Sequence, residues 1–280
     1  MQVIVTGAAG FVGQHLVRRL EEQGAAVTAV VGPGRTAAAG VPVDVGEVDA
    51  MRGVLDATEP SIVFHLAGTA TREAGTGPEA FEVNSRGTAA LLQAVQATGA
   101  PVRVVVASTD ALTGRPPGDH YERSKAATEA AAVCARAEHG LDVVIARLAN
   151  VYGPGDRSRH RLVPAATSAV AAGQGFEPVS PSSVLDLVHV ADVTAALVRL
   201  GQRAEEPVHR IASGTHVTVG AVVSFVQAIA REEAPPVLDV SPYASSVPLV
   251  PGWTPEIALA PGLEATIRWY LERSPDQGAD

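Results

Sequence analysis

The chain has 280 residues, 46% hydrophobic and 18% charged, and its 30 acidic against 21 basic residues leave a formal charge of −9. That length supports one large domain or two smaller ones with a well-buried core, and the composition excludes a disordered chain. The acidic balance argues against a nucleic-acid partner. One cysteine, Cys134, cannot form an internal disulfide, which points to a reducing cytoplasm. The N-terminal MQVIVTGAAG has no basic stretch before a long apolar run, and no apolar run reaches the roughly 18 residues of a membrane span. We therefore expect a cytoplasmic protein without a membrane partner. The histidines form no His-Glu-x-x-His and no cysteine pair exists, so no metal site is expected.

In chain order, QVIVT (2–6) is a short β-branched run that ends in glycines and reads as a buried parallel strand. A helix over Val12–Gln23 follows, then strands at AAVTAVV (25–31) and VPVDV (41–45), a helix over Val48–Thr58 and a strand at SIVFHLAG (61–68). The pattern continues with a long helix over Glu79–Thr98, a strand at VRVVVAST (102–109), an alanine-rich helix over Tyr121–His139 and a strand at LDVVIARLAN (141–150). Strands alternating with helices predict an α/β fold, a doubly wound parallel sheet of the Rossmann type, over residues 1–150. After Asn150 proline and glycine become frequent, with short helices expected at Leu162–Ala172, Ala191–Leu200, Thr218–Arg231 and Leu263–Glu272. Residues 151–280 read as a smaller, mainly substrate-binding lobe with segments that return to the main domain, and SPDQGAD as a frayed tail.

TGAAGFVG (6–13) lies where the first strand becomes the first helix, with Gly7, Gly10 and Gly13 spaced Gly-x-x-Gly-x-x-Gly. Such glycines allow a tight turn and a close backbone approach to a pyrophosphate, which the helix N-terminus then attracts. A carboxylate at the end of the second strand would bind an adenosine ribose and select NAD. That strand instead runs into Gly32-Pro33-Gly34-Arg35, where Arg35 could pair with a 2′-phosphate, so NADP(H) is favoured and NAD(H) remains possible. Asp44, after the third strand, could accept a hydrogen bond from the adenine amino group.

The fifth strand ends in Ser108-Thr109-Asp110, and carboxyl ends of parallel strands face the ligand crevice. Tyr121 and Lys125 are four apart and share a helical face. An ammonium and an oxidised nicotinamide nearby favour the phenolate, so Tyr121 can exchange a proton with a substrate oxygen while the nicotinamide exchanges a hydride with its carbon. Thr109 would hold that oxygen in line, and Lys125 could also hold the nicotinamide ribose.

Taken together, TGAAGFVG, FHLAG, VNSRGT (83–88), ASTDALTG, YERSK, ARLANVYGPG (146–155), LDLVHVADV and PGWTPEIALAPGLEATIRWY resemble the extended short-chain dehydrogenase/reductases, the epimerase/dehydratase group, over nearly the whole chain. The resemblance implies that Tyr121 and Lys125 are a working pair. It also implies cofactor contacts from Phe11, Val12, Val45, Leu66, Ala67, Gly68, Ser108 and Val151, and substrate contacts from Thr69 and Asn150. A homodimer through the helices Glu79–Thr98 and Tyr121–His139 is implied as well. Two departures limit the substrate. The arginine expected before Asp186 is Leu185, and no C-terminal arginine matches, so two donors for a nucleotide diphosphate are missing. The basic cluster Arg157, Arg159, His160 and Arg161 could replace them. Where the dehydratases carry an acid/base pair after the threonine, this chain has Asp110 and then Ala111; Asp110 could still serve as an acid.

The function expected is hydride transfer at a carbinol or ketone carbon of a sugar or nucleotide sugar, in the first place by a ketosugar reductase that consumes NADPH. An epimerase or 4,6-dehydratase with a recycled cofactor is the alternative. A dinucleotide-sensing module without catalysis is the reading from another class. Both Tyr121 and Lys125 are present, which favours an enzyme. His65 and His189 lie in apolar strands and read as packed core histidines.

Overall fold

The structure, a computed structural model, describes residues 1–35, 40–69, 81–114, 116–158, 160–204 and 206–273. The chain divides into two compact units: Met1–Leu148 with Thr194–Ile211 and Ser245–Trp253, and Ala149–Val193 with Ala212–Ala244 and Thr254–Asp280.

The first unit is built on a seven-stranded parallel sheet of β1 (Gln2–Thr6), β2 (Ala26–Val31), β3 (Val41–Pro42), β4 (Ile62–His65), β5 (Arg103–Thr109), β6 (Asp142–Leu148) and β10 (Val208–Ile211), in the order β10-β6-β5-β4-β1-β2-β3. The strands are apolar on both sides because helices cover both faces. Ile4, Val30, Val63, Val104, Val106, Val143 and Ile145 pack against Met51 and Leu55 of α2 (Val48–Thr58), Leu91, Leu92 and Val95 of α3 (Gly87–Thr98), and Ala132 and Ala135 of α4 (His120–His139). The alanines of α4 are thus core contacts of a helix that lies close to the sheet. Strand order reverses at β1, which places the ligand crevice of such a sheet beside the loop leading into α1 (Phe11–Glu22).

Several elements differ from expectation. The third strand shortens to Val41–Pro42, because the Asp44 carboxylate accepts the Gly46 N–H (2.9 Å) and turns the chain. The long helix expected over Glu79–Thr98 is a π turn over Glu82–Arg86 that runs into α3; residues 79 and 80 lie outside the described residues. Two hydroxyls, Thr88 (2.6 Å) and Thr128 (2.9 Å), donate to the Asn84 carbonyl and hold it off the regular helical ladder. The sixth strand stops at Leu148, and Asn150–Tyr152 forms β7, paired in parallel with β9 (Leu187–His189). Strand β10 was not expected at all, since PVHRI carries a histidine and an arginine in what is a buried position.

The second unit packs α5 (Leu162–Ala171), α7 (Val219–Ala230) and α8 (Leu259–Leu271) around Tyr152, Val163, Leu187, Phe225 and Ile267. A three-stranded sheet β12-β11-β8 (Val240–Pro242, Thr215–Thr218, Val184–Leu185) completes it. Two carboxylates staple its loops: Asp186 accepts the N–H groups of Ser213 and Gly214 (2.7 and 3.0 Å), and Asp192 those of Glu256 and Ile257 (3.0 and 3.1 Å). Helix α6 (Val190–Gln202) has its first turn in this unit and the rest in the first. Among the described residues no helix is long and apolar enough to cross a membrane.

Candidate active site

The loop between β1 and α1 is shaped for a close-approaching group. Gly7 has φ 68°, and a Cβ there would lie 2.6 Å from the Ala67 nitrogen and the Leu66 carbonyl carbon. A Cβ on Gly13 would overlap the Gly7 carbonyl oxygen, which already accepts the Gly10 N–H (2.9 Å). Only glycines permit so compact a turn. Helix α1 begins at Phe11, Val12 and Gly13 without a side-chain cap and without an acidic residue in its first turn. Its positive end is therefore left for an anion, so the loop fits the pyrophosphate of a dinucleotide. At the end of β2, Arg35 is exposed, in a turn where its N–H reaches the Gly32 carbonyl (3.0 Å) and Gly34 takes φ 73°. The exposed Asp44 and the half-buried Val45 follow β3.

Behind the loop lies a hydrogen-bonded chain whose direction the geometry sets. Thr88 donates to the Asn84 carbonyl, so its oxygen accepts from His65 Nε2–H (3.1 Å). The other nitrogen, Nδ1, then accepts from the Thr6 hydroxyl (2.8 Å), which in turn accepts the Ala67 N–H (3.2 Å). His65 is buried as expected, and the packing gives it partners on both sides. Burial first, and then the nearby Lys125, push its pKa down to about 3, so the ring is neutral.

Asn84 carries the chain forward. Its Oδ1 accepts the Thr69 N–H (2.8 Å), and its Nδ2 donates to the Thr69 carbonyl (3.1 Å) and to Ser124 Oγ (2.8 Å). Ser124 then donates to the Tyr121 carbonyl (2.7 Å). A Cβ on Gly68 would sit 2.5 Å from Asn84 Oδ1 and 3.4 Å from Lys125 Nζ, which brings the 66–69 loop against α4. The glycine loop, the loop after β4 and the start of α4 are thus one network.

Helix α4 starts where Asp119 accepts the Glu122 N–H (2.8 Å), which sets the rotation of its first turns. Tyr121 is half-buried and Lys125 buried. Lys125 Nζ donates to the Ala107 carbonyl of β5 (3.1 Å). Burial lowers its pKa to about 8, against a raising effect of Glu129. Glu129 lies one turn further on, where it takes a bidentate pair from Arg147 of β6 (2.8 and 2.7 Å) and the Ser108 hydroxyl (2.6 Å).

At the end of β5 two of the expected site residues have partners within the protein. The hydroxyl of Ser108, a residue expected at the cofactor, donates to Glu129. Asp110, expected as an acid, is bound bidentately by the buried Arg210 of β10 (2.6 Å for each bond) and accepts from Thr113 (2.7 Å). A carboxylate held in that way is an anchor. Thr109, between them, is largely buried and its Oγ1 accepts the Ala111 N–H (3.3 Å).

Asn150, Val151, Arg157, His160 and Arg161 belong to the second unit. Asn150 is held by the Asp186 carbonyl (3.0 Å) and Val151 pairs with Val188. Of the basic cluster, Arg157 and His160 are exposed, whereas Arg161 is paired with the buried Asp156 (3.0 Å), so its charge is matched within the protein. Arg159 lies outside the described residues. Sequence reasoning missed Asn84, Ser124, Glu129, Arg147 and Arg210 as individual residues. Glu129 was findable, four residues after Lys125 on the same face; nothing local marks Arg210.

The fold and these residues can be compared with known proteins. A sequence model described as the NAD dependent epimerase/dehydratase family matches residues 3–220. The chain belongs to that family. It is an enzyme that works with NAD(P). Over 96% of its length, and 95% of the other chain, it is 28% identical to a dTDP-4-dehydro-6-deoxy-D-allose reductase from a Streptomyces species. Among solved structures it resembles RMD from Pseudomonas aeruginosa complexed with NADPH (TM-score 0.77, 25% identity, 97% and 99% of the two chains). It also resembles the UDP-glucose 4-epimerase of Thermus thermophilus complexed with NAD (TM-score 0.79, 25% identity, 98% and 100%).

Proposed function

We propose that the chain is a reductase that consumes NADPH and reduces the ketone of a sugar carried on a nucleoside diphosphate. The observation that carries this reading is the end of β2, where Gly32-Pro33-Gly34-Arg35 offers a cation and no carboxylate. A 2′-phosphate meets no repulsion there and can pair with Arg35. The reductases among the relatives support the substrate class.

When bound, the nicotinamide supplies the hydride. Its pyrophosphate would rest on Gly7, Gly10 and the first turn of α1, with Asp44, Val45, Leu66, Ala67 and Gly68 around the adenosine and ribose portions. Thr109 donates a hydrogen bond to the substrate oxygen and holds it. Tyr121 Oη gives that oxygen its proton as negative charge develops there. Lys125, still an ammonium at neutral pH, stabilises the phenolate left behind. Asp110, paired with Arg210, takes no part in proton transfer, and Ala111 offers no second acid. The exposed Arg157 and His160 would offer positive charge to the anionic part of the sugar nucleotide.

The test is cofactor turnover with a dTDP-linked 4-dehydro-6-deoxyhexose. Net oxidation of NADPH, with NADH a poor substitute, is expected. Conversion of a sugar nucleotide without net loss of cofactor would replace the reductase by an epimerase.

A further inference from the structure

The carboxyl edge of the large sheet carries a row of charge that the proposed chemistry does not touch. In register across β10, β6 and β5, Arg210 pairs with Arg147, and Arg147 with Ser108. Two guanidinium groups on neighbouring strands repel unless each has a counterion. Here each has one: Glu129 of α4 for Arg147, and Asp110, just past β5, for Arg210. The Arg210 side chain is only 2% exposed and that of Asp110 14%, so the pair is largely out of water. Thr113 joins the two pairs, donating to Asp110 Oδ1 (2.7 Å) while Arg147 Nη1 reaches its oxygen (3.4 Å).

The segment from Ser108 to Thr113 is therefore tied at both ends. Ser108 is fixed through Glu129, Asp110 through Arg210, and Thr113 through Asp110 and Arg147. Thr109 lies between the two ties. Its Oγ1 accepts the N–H of Ala111, so the turn that Asp110 begins also aims the threonine hydroxyl and leaves its proton to donate. Lys125 is held at the other side of the same strand, through the Ala107 carbonyl and beside Glu129.

We infer that Arg210 is a positioning residue for Thr109: by holding Asp110 in a bidentate pair it fixes the turn that orients the threonine, and it keeps the Asp110 carboxylate out of the reaction. This rests on the reading of Thr109 as the residue that grips the substrate oxygen. Arg210 acts on Thr109 through Asp110. Breaking a buried pair by removing one partner leaves an uncompensated charge, whereas neutralising both removes that charge but leaves the turn untied. A small displacement of a gripping group lowers turnover steeply.

The experiment compares Arg210→Met, Arg210→Lys, Asp110→Asn and the double variant Asp110→Asn/Arg210→Met in two measurements. The first is amide hydrogen exchange of the native protein, which needs no substrate. Arg210→Met is expected to speed exchange in residues 108–113, with β1, β4 and β6 unchanged. The second is steady-state reduction of a dTDP-4-dehydro-6-deoxyhexose with NADPH. Arg210→Met is expected to lower kcat by about a hundredfold, with the KM for NADPH moved less than about twofold. The double variant lacks the tie as well and should stay about as slow as Arg210→Met, and Arg210→Lys should fall between Arg210→Met and the unaltered enzyme, because it keeps the charge but not the two-bond geometry. If Arg210→Met accelerates exchange equally in every strand, or leaves 108–113 unchanged, the inference is overturned. It is also overturned if the double variant recovers to within about tenfold of the unaltered enzyme, since the fault would then be the unpaired charge and not the lost tie. Should Arg210→Met not fold, Asp110→Asn and Arg210→Lys carry the same comparison. Localised exchange in a protein that turns over no ketosugar would sink the proposed reaction and leave the tether standing.

Discussion

Replacing Lys125 by methionine should make the protein more stable while it removes activity. Lys125 is buried, and its pKa falls from an ordinary 10.5 to about 8, chiefly because burial penalises the ammonium. Across the roughly 2.5 pH units between those values, the charged form costs the folded state about 3 kcal/mol. The sign follows from proton counting. Between pH 8 and 10.5 the unfolded chain keeps a proton that the folded chain has released, so stability rises with pH through that window. Below pH 8 the folded state bears the whole cost. Methionine fills a similar volume without charge but forfeits the hydrogen bond from Nζ to the Ala107 carbonyl, worth about 1 kcal/mol once the charge itself is counted separately. Lys125→Met should therefore gain about 2 kcal/mol at pH 7. Urea unfolding of both proteins from pH 7 to pH 10 is the assay. The advantage of the variant should shrink above pH 8 and be gone by about pH 10. A difference that does not depend on pH, or a variant less stable at pH 7, would refute the reasoning.

Two further changes test the cofactor loop and its end. Gly13→Ala places a methyl group on the Gly7 carbonyl oxygen, where only backbone can yield, so calorimetric titration should show NADP(H) binding weakened at least tenfold, with a stability loss of about 1–3 kcal/mol. Arg35→Ala should weaken NADPH by about ten- to a hundredfold, the worth of a charge-assisted hydrogen bond, and leave NADH unchanged; equal effects on the two cofactors would remove Arg35 from the 2′-phosphate.

What the sequence determined by itself was local and periodic. The apolar runs of β1, β4 and β5 allow only buried parallel strands, and glycine at positions 7 and 13 is legible because no other residue tolerates those backbone contacts. Tyr121, Lys125 and, unread, Glu129 share a helical face simply because 3.6 residues make a turn. The tertiary structure alone decided who partners whom. Asp110 stands beside Thr109 in the sequence, and only the fold brings Arg210 to it from β10, a hundred residues away in the chain. The fold also gives the Ser108 hydroxyl to Glu129 of α4, and Arg161 to the buried Asp156. The π turn at Asn84 was likewise invisible, because the hydroxyl of Thr128 that helps to hold its carbonyl comes from another helix. A charged side chain reads as functional in a sequence whenever its counterion lies far along the chain, and only packing shows which charges are already matched.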